Sequence, residues 1–208
     1  MPKGSPELTA ARKEEIINAC EKLYQTMSFK EITLKEIGKV TSFTRTSIYN
    51  YFQTKEEIFL ALFQREYEKW IKDLDTILNK ADFMDRKTIA EEISCSLEKR
   101  AQLLKLLSMN HFDMEDNSRD ELLITFKVAY GNSMKWVRKI LEKYCMDMDS
   151  AEIDRIIYIF FPFVYGIYPY AVVTDKQKVA MDKAGVNYKY QTIYELTYSC
   201  LAKLLDVK

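Results

Sequence analysis

Residues 33–59, TLKEIGKVTSFTRTSIYNYFQTKEEIF, put two short helices, a tight turn and a sharp break into a single stretch. Thr33 and Glu36 have the spacing of a capping box, in which each side chain satisfies the other's backbone amide at a helix start. The helix they open is short and ends near Val40. Thr41-Ser42-Phe43 is the turn, and Thr44 caps a second short helix over 45–52. Ile48 and Phe52 lie four apart and share one helix face, which assigns both to a core. Gln53 breaks the pattern. Thr54-Lys55-Glu56-Glu57 then forms a second capping box and opens a long helix. Its apolar face carries Ile58, Phe59, Leu62, Phe63, Tyr67, Trp70, Leu74 and Ile77.

Helical periodicity continues along the rest of the chain, with no convincing alternating strand, so the fold class is all-α. Residues 9–27 place Ile16, Cys20, Leu23 and Met27 on one stripe, with Thr9 as the cap and Ser28 marking the end. Further helices are expected over 86–95, 97–108, 119–145, 150–173 and 189–206. Breaks are expected at 111–117, 145–150 and 174–187. The long helix from residue 55 is expected to link the N-terminal part rigidly to the remainder.

At 208 residues, 48% of them hydrophobic, the chain can bury a sizeable core. Its 31 basic and 31 acidic residues cancel, so no global field draws it to nucleic acid. A local patch does exist. Residues 28–55 carry Lys30, Lys35, Lys39, Arg45 and Lys55 against Glu31 and Glu36, five minus two, or +3.

Several classes are set aside. Cys20, Cys95, Cys145 and Cys200 are scattered, without the spacing of a disulfide framework or zinc site, and read as buried, reduced thiols of a cytoplasmic protein. The N-terminus has no apolar signal region. Residues 156–174 carry no charge, but Pro162, Gly166, Pro169 and four tyrosines spread along them favour a buried helix over a membrane span. His111 is the only histidine, and with Asp113, Glu115 and Asp116 it reads as a solvated loop rather than a metal site. No nucleophile elbow, zincin motif or phosphate-cradling loop is present, so no catalytic residue, metal or cofactor is assigned and an enzyme is not expected.

The chemistry of residues 33–55 fits DNA. A recognition helix reads base edges with its N-terminal residues while flanking groups hold phosphates. Arg45, Thr46 and Ser47 occupy that first turn. Arg45 has the fork to hold a guanine, and Asn50, one turn on, suits an adenine or a phosphate. Tyr49 and Tyr51 can donate phenolic hydrogen bonds to phosphate. Lys55, Thr33 and Thr44 stand at helix starts, where anions are favoured.

Residues 12–59 resemble the DNA-binding domain of the TetR family of transcriptional regulators, through Thr33, Ile37, Thr44, Ile48, Tyr49, Tyr51, Phe52, Lys55 and Glu56-Glu57-Ile58. Ser42 stands where the family has a glycine, at a turn position where positive φ penalises a side chain. Phe43 replaces a smaller aliphatic, and Thr46 stands where glycine is common. The resemblance implies an N-terminal three-helix helix-turn-helix domain, residues 1–58, followed by a larger helical ligand-binding and dimerisation domain, residues 59–208. It implies a homodimer through the last two helices, a palindromic double-stranded DNA operator and a repressor released by a small ligand. Phe126, Tyr130, Met134, Trp136, Phe161, Tyr165 and Tyr168 are the candidate lining for a small hydrophobic or aromatic ligand. The rival is a helical ligand-binding or scaffold protein whose helix-turn-helix makes protein contacts.

Overall fold

A computed structural model describes residues 5–109 and 111–207; the side chains of Arg45, His111 and Asp113 lie outside the described residues. The described chain is helical, with no strand. Its helices are α1 (Pro6–Tyr24), α2 (Leu34–Lys39), α3 (Arg45–Ile48), α4 (Lys55–Leu78), α5 (Arg86–Glu98), α6 (Ala101–Leu107), α7 (His111–Asp116), α8 (Asp120–Tyr144), α9 (Ser150–Ala171), α10 (Asp175–Lys183) and α11 (Ile193–Leu204).

The chain divides into two compact units. One takes residues up to 65 together with 111–129, and the other takes 66–109 with 130–207. The first unit contains α1–α3, the start of α4, α7 and the start of α8. Its core gathers Ile16, Cys20, Ile37, Ile48, Phe52, Phe59 and Phe63, all fully or nearly fully buried. Tyr24 and Phe29 both meet the Phe59 ring edge-on, at 5.1 and 4.8 Å. Arg65 on α4 ties down α1 by donating to Glu14 at 2.9 Å, Asn18 at 2.6 Å and Glu21 at 2.8 Å.

In the second unit, α5 and α9 pack on α11, and α6 packs on α9. The uncharged run explains itself here. Ile153, Ile156, Ile157, Phe160, Phe161, Val164 and Ile167 form a buried stripe along α9, with the three-and-four spacing of a helix facing a core. Among the described residues, no single helix is long and apolar enough to cross a membrane. The Trp70 indole is buried and donates to Ser96 Oγ at 3.0 Å. At the end of α4, the carbonyls of Leu78 and Ala81 accept from Tyr144 Oη at 2.9 and 2.8 Å and from Lys143 Nζ at 2.8 and 2.9 Å. Helix ends need such donors for their unpaired carbonyls.

The structure corrects several boundaries. Ser5, not Thr9, caps α1, because Pro6 sits comfortably in the first helical turn. Residues 111–116 and 175–183 are helices rather than breaks. The interruption between α5 and α6 falls at residues 99–100, where Arg100 forks onto Asp73 at 2.6 and 2.7 Å. The helix expected over 45–52 is regular only to Ile48 and continues as turns to Tyr51. Both anticipated capping boxes close only halfway. Thr33 and Thr54 accept from Glu36 N and Glu57 N at 3.2 Å, but the carboxylates go elsewhere, Glu36 to Lys39 and Glu57 to Arg119. Complete boxes form at Asp149 and Glu152, Thr174 and Gln177, and Thr192 and Glu195.

Candidate nucleic-acid interface

The turn between α2 and α3 is built from hydroxyl bonds. Thr41 Oγ1 donates to the carbonyls of Gly38 at 3.3 Å and Phe43 at 3.0 Å. The Glu15 carboxylate on α1 accepts from both the amide and the hydroxyl of Ser42, the latter at 3.0 Å. Among the described residues only Asp206 and Gly185 have positive φ, at 49° and 67°. Ser42 therefore pays no left-handed penalty, contrary to expectation, and its hydroxyl contributes a bond that a glycine could not make.

Thr44 heads α3 without a side-chain cap bond, and its hydroxyl lies 3.3 Å from Ser47 Oγ. Beyond this start the residues sort by face. Ile48 and Phe52 are 0% and 2% exposed, whereas Thr46 and Asn50 lie open, Ser47 is half-buried and Tyr49 is 44% exposed. One face of the segment thus holds α3 to the unit while the other presents hydroxyls, a phenol and an amide. These groups donate and accept hydrogen bonds and so match base edges and phosphates. Arg45 heads the same segment, and its side chain lies outside the described residues.

Two expected anchors are placed differently. The Tyr51 ring is buried, tilts against Phe43 at 6.4 Å and accepts from Arg12 Nη1 at 3.1 Å through its hydroxyl. Lys55 Nζ donates to the Phe29 carbonyl at 2.7 Å and lies 4.1 Å above the Phe29 ring. Both side chains serve the fold in this structure. Thr33 is exposed at the start of α2, and Lys30 and Lys35 are exposed nearby. Arg12 belongs to α1, outside the motif, and only the fold brings it to Tyr51.

The residues proposed for a ligand separate. Phe126 lies buried in the first unit, 5.1 Å from Phe63. In the second unit Tyr130 meets Tyr67 at 5.9 Å and Phe161 at 5.8 Å, and Phe161 lies 5.9 Å from Trp70. Burial, with Tyr165 and Tyr130 adjacent, pushes the Tyr67 phenol well above its ordinary pKa. Tyr165 therefore joins this cluster. Met134, Trp136 and Tyr168 are half-buried, and Lys139 Nζ covers the Trp136 ring at 4.3 Å. A shallow groove elsewhere on this unit is lined by Pro162, Phe163, Gly166, Ile167, Tyr170 and Leu196.

A short second helix packed on a short third one, followed by a long helix and an all-helical remainder, is a helix-turn-helix arrangement. Residues 16–62 match the bacterial regulatory proteins of the tetR family, and residues 64–191 match the tetracyclin repressor-like C-terminal domain. The chain belongs to the TetR family of bacterial regulatory proteins. It is 27% identical over 74 residues to YfiR, an uncharacterized HTH-type transcriptional regulator of Bacillus subtilis, a match covering 36% of each chain. The chain thus spans a little over a third of the length of the curated relatives it matches. The fold is shared with Thermus thermophilus FadR, a TetR family transcriptional repressor solved in complex with lauroyl-CoA, at a TM-score of 0.61 and 16% identity over 93% of both chains. It is also shared with Bacillus subtilis FadR in complex with stearoyl-CoA, at 0.60 and 14% over 92% of this chain and 97% of that one.

Proposed function

We propose that this protein is a ligand-responsive repressor acting in the cytoplasm, which binds a palindromic operator as a homodimer. Residues 1–58 serve as the DNA-binding domain and residues 59–208 as the ligand-binding and dimerisation domain. The observation that carries the reading is the two-faced segment 44–52, anchored by Ile48 and Phe52 and open at Thr46, Tyr49 and Asn50. Arg45, Thr46, Ser47 and Asn50 read bases, while Thr33, Thr44 and Tyr49 hold phosphates, with Arg12 added beside Tyr51.

The homodimer forms through α9 and α11. In support, Ile159, Pro162, Phe163, Gly166 and Tyr170 make an apolar stripe along α9 beside Leu196, with Ile159 and Tyr170 53% and 59% exposed. At Gly166 an added methyl group meets nothing within 4 Å, which leaves room for a close helix. A symmetric pairing sets the spacing of two recognition helices on successive major-groove faces. The effector is a small hydrophobic or aromatic molecule held near Tyr67, Tyr130, Phe161 and Tyr165; two proteins of this fold are in complex with lauroyl-CoA and stearoyl-CoA. It releases DNA by favouring a state in which the heads are differently spaced.

Selection of bound fragments from random DNA, with and without cell extract, tests this directly. Enrichment of an inverted repeat that extract weakens supports the reading. Recovery of no shared sequence by the purified protein overturns it.

A further inference from the structure

The chain between α3 and α4 has no helix of its own to fix it. Besides Arg12 on the Tyr51 hydroxyl and Glu57 on the Gln53 amide, it is held by residues more than sixty positions later in sequence. Arg119 Nη2 donates to the Tyr51 carbonyl at 3.3 Å, near the end of the recognition segment. The same guanidinium forks onto Glu57, with Nε to Oε1 at 2.6 Å and Nη2 to Oε2 at 2.9 Å, while the Arg119 amide reaches Oε1 at 3.3 Å. Glu57 Oε2 also accepts from Gln53 N at 2.7 Å. Thr54 Oγ1 donates to the Asn117 carbonyl at 2.9 Å. The Glu57 side chain is 1% exposed and that of Arg119 37%.

We propose that Arg119 is a positioning residue for DNA recognition. Acting through Glu57 in the first turn of α4 and through the Tyr51 carbonyl, it fixes the connection 51–54 and with it the pose in which Thr46, Ser47 and Asn50 face DNA. The inference rests on those residues being the readers. A buried carboxylate is costly unless paired, so the loop cannot relax while Glu57 keeps its partner, nor keep its geometry once that partner is lost. The arrangement also needs a planar fork. One guanidinium serves both carboxylate oxygens and a carbonyl together, which a lysine ammonium cannot match. Because α8 begins at the next residue, Asp120, the clamp makes the pose of α3 depend on the start of a long helix distant in sequence.

The experiment uses the fragment that the wild type selects from random DNA, and a scrambled duplex of equal length. Affinity for each is measured across a salt series for the wild type, R119K and R119Q, alongside thermal melting. The expected result is a loss of about ten-fold or more on the selected fragment for R119Q, from misplaced base contacts. The scrambled affinity and its salt slope stay at wild-type values, and R119K falls between. If R119Q does not fold, R119K alone must lose affinity for the selected fragment only. Unchanged selected-site affinity overturns the proposal, as does a parallel loss on both duplexes that follows the folded fraction. A salt slope reduced by about one also overturns it, since Arg119 would then touch phosphate itself. Failure of the wild type to select any sequence removes the DNA-reading assignment, and is distinguishable because no variant is involved.

Discussion

The Lys55 ammonium caps the Phe29 backbone carbonyl at 2.7 Å and covers the ring of the same residue at 4.1 Å. One charge at the start of α4 thus ties down the loop between α1 and α2. Lys55→Met keeps the aliphatic stem but loses the bond and the cation over the ring, so stability should fall by about 1–2 kcal/mol. Urea denaturation measures this. The salt slope of DNA affinity should change by less than about half a unit, against about one for a lysine that neutralises a phosphate.

Glu57 makes stability depend on acid. Burial alone pushes its carboxyl up, but the Arg119 guanidinium and the amides of Gln53 and Arg119 outweigh this and hold it below its ordinary value of 4.5. A pKa lower in the folded state than in the unfolded one gives stability that is fully present above 4.5 and is lost as pH falls through the folded value. Melting temperatures from pH 7 down to about 3 should therefore decline below the ordinary carboxylate range. Glu57→Gln should be less stable at pH 7 and show a shallower decline.

The Trp70 indole has its hydrogen-bond partner inside the core, where no water replaces a lost one. Ser96 Oγ accepts from it at 3.0 Å and donates onward to the Ile93 carbonyl at 2.7 Å. Ser96→Ala leaves the indole N–H unpaired and should cost about 1–3 kcal/mol, read from the unfolding midpoint. Ser96→Cys, which restores a weak acceptor, should recover part of that loss.

The thiols should react in a fixed order. Burial raises Cys20 to about 12 and Cys200 to about 11, whereas Cys95, expected to be buried, is exposed on the outer face of α5. The thiolate is the reactive form, so alkylation at pH 8 should label Cys95 first and Cys20 only in denaturant. Peptide mapping by mass spectrometry gives the order. Labelling of Cys20 in the native protein at the rate of Cys95 would contradict its burial.

Ile159→Asp separates assembly from folding. The side chain is 53% exposed on α9, so a carboxylate there is solvated in a single chain. At an apolar pairing surface it would be desolvated without a partner. Sedimentation should show the variant as a monomer with near wild-type helicity, and its affinity for a two-half-site fragment should fall.

The helix-turn-helix is legible in sequence because its signals are local: Ile48 and Phe52 four apart, and threonines at helix starts. What is not legible depends on partners distant in the chain. Nothing near Glu57 announces that Arg119 will take its carboxylate, so a capping box was the natural expectation. Tyr51 and Tyr49 look equivalent in a string of aromatics, yet the helical turn sends one inward to Arg12 and the other outward. Ser42 was expected to bear strain because glycine is usual there, but the Glu15 carboxylate braces the turn with no residue in the left-handed region. Helix α10 gives no periodic signal because it has no apolar stripe, although Thr174 and Gln177 are spaced as a capping box.

That helix also has a practical meaning. None of the residues of α10 is buried, and its ends are held by its own capping box and local backbone bonds. Segments with no stake in the interior tolerate insertion and nicking. Residues 175–183 are therefore the natural place to graft an epitope or a fluorescent reporter, and a stretch where lineages can drift without compensating changes elsewhere.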